Sequence, residues 1–430
     1  MAEAISQKTG RGAAPKGGKG RVLYVGQSYY NTWYLSRALR ELGWVADTVN
    51  IDPDDHSRQF YHGQDFDLRY RGKSDALRHL KFYAWALRNY DIFHFSGANN
   101  LTFSTYFGRL GFLPAQWDVK LLKKLGKRVV YSNNGCLDGV SQSSFRQWLP
   151  EPVCDICPWR DMPHVCSDER NMAWGKLRNT LTDYQVTLGG NRKDYNDDPV
   201  VHEVPEFYCL DQNFWQPDMM IPANYRLPFP ESTVKIYHAV ANSESRTDAS
   251  TKQNIKSTHI YLPTVERLKA EGYDVELIFF YDVPNEKLRF YQAQADIVVD
   301  MLTFGFFGAT VREAMMLGKP AVCFLRPEWL ESMRREIPEY VDELPVVSAT
   351  PHTVYDVLKD LVEHPEKRRE IGRRSREFAV KWHSAEAGAR RFDQIYTELL
   401  LGAGAESPAG GWARRGAPGA ARPSREGQSA

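Results

Sequence analysis

The feature that most constrains this chain is a repeated grammar: a short β-type run ending near glycine, a helix, a glycine stop, and another β-type run. It first appears as Arg21–Val25 with Gly26, a helical stretch from Thr32 to Leu42, Gly43, and Val45 to Ile51. It returns at Asp91 to Ser96, at a Leu121–Gly126 helix followed by Arg128 to Ser132, and at Tyr184 to Leu188. A second set begins with Val234 to Ala239 and continues with a helix from Thr258 to Ala270, Gly272, and Val275 to Tyr281. A helix Asn285–Gln294, the strand Ile297–Val299, a helix Thr310–Leu317 and the strand Ala321–Leu325 complete it. Such alternation specifies parallel sheets wound on both faces by helices. A proline-rich stretch (Pro205, Pro217, Pro222, Pro228, Pro230) separates the sets, so two sheets joined by a linker are expected. Ligands of such sheets sit outside the carboxyl ends of the strands, in the crevice between the halves.

The richest segment runs from Asp296 to Pro320. A strand feeds the loop Phe304-Gly305-Phe306-Phe307-Gly308, and Ala309 and Thr310 open a helix that carries Glu313 in its early turns. Free backbone N–H groups and the positive helix end suit a diphosphate, and a carboxylate there can accept hydrogen bonds from ribose hydroxyls. The plain alternative is an ordinary strand–helix junction with a solvated Glu. Upstream, Arg246, Lys252 and Asn254-Ile255-Lys256-Ser257-Thr258 form a basic loop before the next helix.

These segments resemble the donor-binding signature of family 4 glycosyltransferases, in which a G-F-G-type loop precedes an E-A-M helix and then G-K-P. The resemblance implies a GT-B architecture: α/β, two Rossmann-like domains facing a cleft, with a C-terminal helix crossing back to the N-terminal domain. It implies that Glu313 holds the nucleotide ribose, that Gly308, Ala309 and Thr310 hold phosphates, and that Arg246 and Lys256 neutralise the departing diphosphate. Two departures stand out: Gly305 occupies the place of a second Glu that contacts the donor sugar, and Ser257 stands where Gly is usual. Asp211, Phe214 and Pro217 match the family's interdomain segment in spacing. On the N-terminal side Gly26 matches the family's glycine loop and His94 a strand-end histidine. Asn134 stands in the place of a further histidine. An amide can hydrogen-bond a sugar hydroxyl but cannot act as a base. His94 has a second reading, as a satisfied structural histidine.

The resemblance implies domains at 21–204 (acceptor side) and 234–375 (nucleotide-sugar side), a linker at 205–233 and a crossover helix at 376–401. The activity it implies is sugar transfer from a nucleoside-diphosphate sugar to a hydroxyl acceptor (a sugar, a lipid-linked glycan or a small molecule), with retention and with no cofactor required for catalysis. A nucleotide-sugar epimerase of the same fold and a nucleotide-sugar-binding protein without turnover are the rivals.

Four of the six cysteines, Cys136, Cys154, Cys157 and Cys166, fall in one stretch. A C-x-x-C knuckle presents two thiolates to one ion, and two more would complete a tetrahedral zinc pinning an inserted loop over 136–170. Buried thiols are the alternative. Asp52-Pro-Asp54 and Asp65-Phe-Asp67 read as solvated loops. The basic, aromatic run Arg78–Arg88 reads as a core-facing helix, with peripheral membrane contact as the other reading.

A formal charge of +1 on 430 residues gives no global pull toward nucleic acid or an anionic membrane, so no nucleic-acid partner is expected. No stretch approaches the roughly twenty apolar residues of a membrane-spanning helix, and residues 1–20 show no apolar signal core. A cytoplasmic protein, working free or at the inner membrane face, is the expectation. Residues 1–20 and 402–430, rich in small and basic residues, are expected to be disordered.

Overall fold

The computed structural model describes residues 18–26, 29–51, 62–69, 72, 75–96, 101–108, 113–133, 135–136, 141–148, 153–187, 193–241, 243–281 and 283–402. The expectations for both chain ends, for Asp52 and Asp54 and for Asn134 therefore lie outside the described residues, apart from the few terminal positions inside these limits.

The N-terminal half contains β1 (Arg21–Val25), α1 (Asn31–Glu41), β2 (Val45–Asn50), β3 (Phe66–Asp67), α2 (Ala76–Asn89), β4 (Ile92–Ser96) and α3 (Thr105–Gly108). It continues with α4 (Trp117–Lys124), β5 (Arg128–Ser132), α5 (Gln142–Arg146), α6 (Asp168–Leu181), β6 (Tyr184–Val186) and β7 (Val201–His202). These strands form one parallel sheet in the order β3-β2-β1-β4-β5-β6-β7.

The second half contains β8 (Val234–Val240), α7 (Ser243–Arg246), α8 (Thr258–Ala270), β9 (Val275–Tyr281), α9 (Asn285–Gln294), β10 (Ile297–Val299) and α10 (Ala309–Met316). After these come β11 (Ala321–Cys323), α11 (Pro327–Glu336), α12 (Pro338–Glu343), β12 (Val347–Ser348), α13 (Val354–Glu363), α14 (Pro365–His383) and α15 (Ala385–Leu401). Its sheet is also parallel, ordered β12-β11-β10-β8-β9. Each sheet reverses its winding once, between β1 and β4 and between β8 and β10, and such reversals open the crevices where ligands bind.

Strand interiors are apolar on both faces, as helix-covered parallel strands require. In β1, Val22, Leu23 and Tyr24 are all fully buried. At the end of β1, Gly26 has φ +80°, and a Cβ there would lie 2.5 Å from the Ser96 carbonyl oxygen at the end of β4. Only glycine allows the two strand ends to meet so closely.

The chain crosses between halves twice, side by side. The linker backbone at Leu210 pairs with Ser384, the Leu210 N–H donating 2.8 Å to the His383 carbonyl and the Ala385 N–H donating 2.8 Å to that of Leu210. Ser384 ends α14 and caps α15 through its Oγ, which accepts from the Ala387 N–H. Helix α14 stays with the second half, where Gly372 would press a Cβ to 2.3 Å from the Gly318 carbonyl oxygen. Helix α15 returns to the first half. There Trp44 donates from Nε1 to Asp393, and the Tyr396 ring meets Trp44 edge-on.

This crossing seals two histidines. His94 is fully buried, its Nδ1 2.6 Å from the Tyr396 hydroxyl, its Nε2 hydrogen-bonded to Ser132 Oγ, and its ring stacked on Phe207. His383 is buried with Nε2 3.0 Å from the Tyr340 hydroxyl. Burial pushes both imidazoles down to about 3, with the Arg312 charge adding to the effect at His383. The unfolded chain protonates these rings near pH 6.5 and the folded chain does not. Stability is therefore fully present above that pH and is lost as pH falls toward the folded values, by about 1.4 kcal/mol per pH unit for each ring. Urea unfolding at pH 7.5 and 5.5 should show a clear drop in midpoint at the lower pH; an unchanged midpoint contradicts the neutral burial of these rings.

Candidate functional site

At the β8/β10 switch point a lysine and an aspartate meet. Asp300 follows β10 directly, and Lys256 comes from the loop that enters α8. Lys256 Nζ donates to Asp300 Oδ1 at 2.5 Å, with the two side chains 11% and 1% exposed. The loop is rigid around this contact. Asn254 Oδ1 accepts the N–H groups of Lys256 (3.1 Å) and Thr258 (3.2 Å). Ser257 sits at φ +62°, in the left-handed region, which explains why glycine suits this position. Its Oγ accepts the Leu302 N–H at 3.0 Å and so ties the start of α8 to the loop after β10. The second oxygen of Asp300 is buried with no hydrogen bond, and a Cβ on Gly308 would lie 3.8 Å from it. Behind this pair His238 is fully buried, bonded through Nε2 to Thr258 Oγ1 at 2.7 Å and held neutral by burial, which takes it down to about 4.

Helix α10 starts beside this pair. Gly308 is its N-cap with extended backbone, and Ala309 and Thr310 occupy the first turn, where amide groups lack partners within the helix. Glu313, 3% exposed, is gripped by three donors: the Tyr30 hydroxyl (2.7 Å) and Asn285 Nδ2 (2.7 Å) on Oε1, and Gln292 Nε2 (2.9 Å) on Oε2. It is not the solvated glutamate of the plain alternative. Asn285 and Gln292 bracket α9, one at each end of its inner face, while Tyr30 reaches across from the first half.

The loop after β1 thus enters the site. Tyr29, at φ +53°, stands close to the Arg246 guanidinium. That cation, ahead of the opposing effect of burial, draws the Tyr29 phenol below its usual range, and Lys256 acts in the same direction. Arg246, Lys256, Glu313 and the two tyrosines therefore form one neighbourhood. The sequence marked Arg246, Lys256 and Glu313; Tyr29, Tyr30, Asp300, Asn285 and Gln292 went unassigned there. A strand-terminal aspartate after an apolar run, facing a basic loop, was the signal available for Asp300.

Gly305 has φ +94°, and its carbonyl accepts the Arg326 N–H at 2.8 Å. A side chain there would be strained and would start 3.2 Å from Arg326 Cβ. Arg326 is buried, with its guanidinium 3.4 Å over the Trp148 ring from the first half. This chain therefore packs an arginine beside the position where the resembling family has a glutamate.

Two expectations are corrected. His94 does not line the cleft: both ring nitrogens are bonded inside the core beneath α15, so the structural reading holds. Asp65 is not a solvated loop residue, since it pairs with Arg37 (2.5 Å) and Arg40 (2.8 Å) and accepts the Thr48 N–H. Among the described residues no set of three or more His, Cys, Asp or Glu side chains is arranged for an ion. Cys136 is exposed while Cys154, Cys157 and Cys166 are half-buried, and Cys166 Sγ is 3.7 Å from Asn171 Nδ2. Burial first, then the neighbouring Cys136, Cys157 and Cys166, pushes the Cys154 thiol up to about 12, so these thiols lie close enough to act on one another. In α2, His79, Phe82, Tyr83 and Ala86 face the core while Leu77 and Leu80 are exposed, and among the described residues no helix is long and apolar enough to cross a membrane.

No family model matches the chain, and no curated protein matches its sequence. Solved structures do match. Sucrose-phosphate synthase from Thermosynechococcus elongatus is similar with a TM-score of 0.53 at 15% identity, covering 89% of this chain and all of that one. Anabaena HepE, solved in complex with UDP and glucose, is similar with a TM-score of 0.53 at 12% identity, over 88% of this chain and 99% of that one. A Listeria monocytogenes protein described as a putative UDP-N-acetylglucosamine 2-epimerase gives 0.50 at 11% identity, over 90% and 97%. With two facing doubly wound halves and the crossing helix, the fold of this chain is GT-B.

The Lys256–Asp300 pair makes a charge reversal at Lys256 a test of folding before it is a test of binding. Lys256→Met should cost about 3–5 kcal/mol, because it leaves a buried carboxylate uncompensated. Combining it with Asp300→Leu should recover most of that loss. Denaturant unfolding of the single and double variants measures both; a double variant no more stable than Lys256→Met contradicts the pairing.

Proposed function

We propose that this chain is a glycosyltransferase that moves a sugar from a nucleoside-diphosphate sugar to a hydroxyl acceptor. The observation that carries the reading is Glu313, a buried carboxylate in a helix whose start stands beside two cations at the β8/β10 switch point. The donor ribose would bond Glu313, the diphosphate would lie on the N–H groups of Ala309 and Thr310, and Arg246 and Lys256 would face it. As the bond from the anomeric carbon to the phosphate oxygen breaks, the bonding electrons go to that oxygen. The cations and the helix end stabilise the charge that develops there. The acceptor oxygen bonds the same carbon on the same face and releases its proton to the leaving phosphate, giving retention. This route needs no protein base, which fits the burial and bonding of His238 behind the Lys256–Asp300 pair and of His383 at the crossing. An epimerase would require such groups free, and that favours transfer over the epimerase reading. Synthesis of a surface polysaccharide or glycoconjugate, at the inner membrane face, is the setting proposed.

The site as it stands is partly self-occupied. A carboxylate offers about four acceptor positions, and three of those on Glu313 are taken. A ribose that uses two must displace one donor, and Tyr30, which belongs to the other half, is the one that leaves when the halves part. The diphosphate likewise competes with Tyr29 for Arg246.

Calorimetric titration with UDP, GDP, ADP and TDP, together with turnover of the corresponding sugars, tests this reading. Glu313→Gln should weaken nucleotide binding at least tenfold, because a charged acceptor is lost. Tyr30→Phe, which removes the competing hydroxyl, should tighten it several-fold. Release of free nucleoside diphosphate with a new glycosidic product identifies transfer. An interconverted sugar identifies an epimerase, and binding without turnover a binding protein. Equal affinity of Glu313→Gln and parent for every nucleotide overturns the donor assignment.

A further inference from the structure

Arg312, next to Glu313 on α10, has no ion-pair partner within 4 Å among the described residues, and the Glu203 carboxylate shares its pocket without reaching it. It is 7% exposed, its guanidinium lies 4.8 Å over the Tyr208 ring and 5.9 Å over Phe307, and among the described residues it makes neither a hydrogen bond nor an ion pair. An arginine stays charged at any ordinary pH. A buried charge left uncompensated costs several kcal/mol, and stacking on an aromatic face offsets about 2 kcal/mol at most. This arginine lines a pocket of about 20 Å³ shared by both halves, with Glu203 and Tyr208 from the first half and linker, Trp329 and Tyr340 from the second, and His383 from the crossing. The Trp329 indole Nε1 is also buried with no acceptor. His383 offers no competing cation, since its ring is held neutral and its Nε2 is engaged with Tyr340. Two donors with nothing to donate to, around a space sized for one small group, define what belongs there.

We propose that the Arg312 pocket is an anion subsite, separate from the Glu313 seat, that receives the carboxylate or phosphate group of a hydroxylated ligand. Arg312 and Trp329 face the anionic group, and Glu203, the carboxylate in the lining, faces a hydroxyl of the same molecule. The volume admits only the anionic end, so the rest of the ligand projects into the cleft. Read as the charged end of an acidic acceptor sugar, the site rests on the transferase proposal; the anion site itself does not.

The test measures the thermal unfolding midpoint of the full chain against increasing inorganic phosphate, glucuronate and glucose 6-phosphate, each compared with chloride at equal ionic strength. The series is run with and without saturating UDP, which fills the donor seat. The parent should rise with these anions under both conditions. Arg312→Met should require at least tenfold more anion for the same rise, and Trp329→Phe about threefold more. Without added anion, Arg312→Met should melt no lower than the parent, because the variant removes a buried charge that no ion pair balances. A sugar-borne anion that acts at tenfold lower concentration than phosphate assigns the pocket to a substrate; equal concentrations assign it to a free ion. An Arg312→Met variant that responds like the parent, or that melts well below it in anion-free buffer, overturns the proposal. Should UDP fail to bind at all, the donor reading falls, while the phosphate response of parent against Arg312→Met still decides this one.

Discussion

The carboxylate of Glu313 is the point on which this molecule is organised. It is buried midway along the short helix α10, and the charge is tolerable only because three donors satisfy it. Two of those donors come from α9 and fix the neighbouring helix. The third comes from the loop after β1 and ties the halves across the cleft. A group built this way holds the closed arrangement together while keeping an acceptor ready for a ligand that replaces the foreign donor. On the proposed reading, contact between halves and binding of a ribose are two uses of one side chain.

Around it, charge is arranged in compensated and uncompensated pieces. Lys256 is balanced by Asp300, which anchors the loop after β10 and leaves one carboxylate oxygen without a hydrogen bond beside Gly308. Arg246 stands close to Tyr29, a weak partner for a guanidinium. Arg326 lies over Trp148 with Glu328 3.6 Å away, and Arg312 has aromatic faces but no ion pair among the described residues. Aromatic rings thus cover Arg326 and Arg312 in this region. That pattern suits a site whose counterions arrive with its ligands.

Much of this was legible in the sequence. The helices Thr258–Ala270 and Asn285–Gln294 and the strands Val275–Tyr281 and Ile297–Val299 fall where periodicity and glycine stops place them. Those signals are local, and local signals survive in sequence. Lys256 and Glu313 were singled out by the resemblance, each at a strand–helix junction. What escaped is long-range. Nothing near His94 announces that Tyr396, some three hundred positions away, covers it, and nothing near Tyr30 points to Glu313. The cysteine spacing suggested four ligands, but spacing does not fix burial: Cys136 lies exposed while Cys154, Cys157 and Cys166 are half-buried. Gly305 was read as a missing glutamate; its positive φ and its contact with Arg326 show a backbone requirement in its place.

The most direct measurement is a crystal structure with a nucleoside-diphosphate sugar bound. The account predicts the ribose hydroxyls on Glu313, the diphosphate over the Gly308–Thr310 turn within reach of Arg246 and Lys256, and Tyr30 withdrawn from the carboxylate. A nucleotide bound elsewhere, with the Tyr30–Glu313 contact intact, would contradict it.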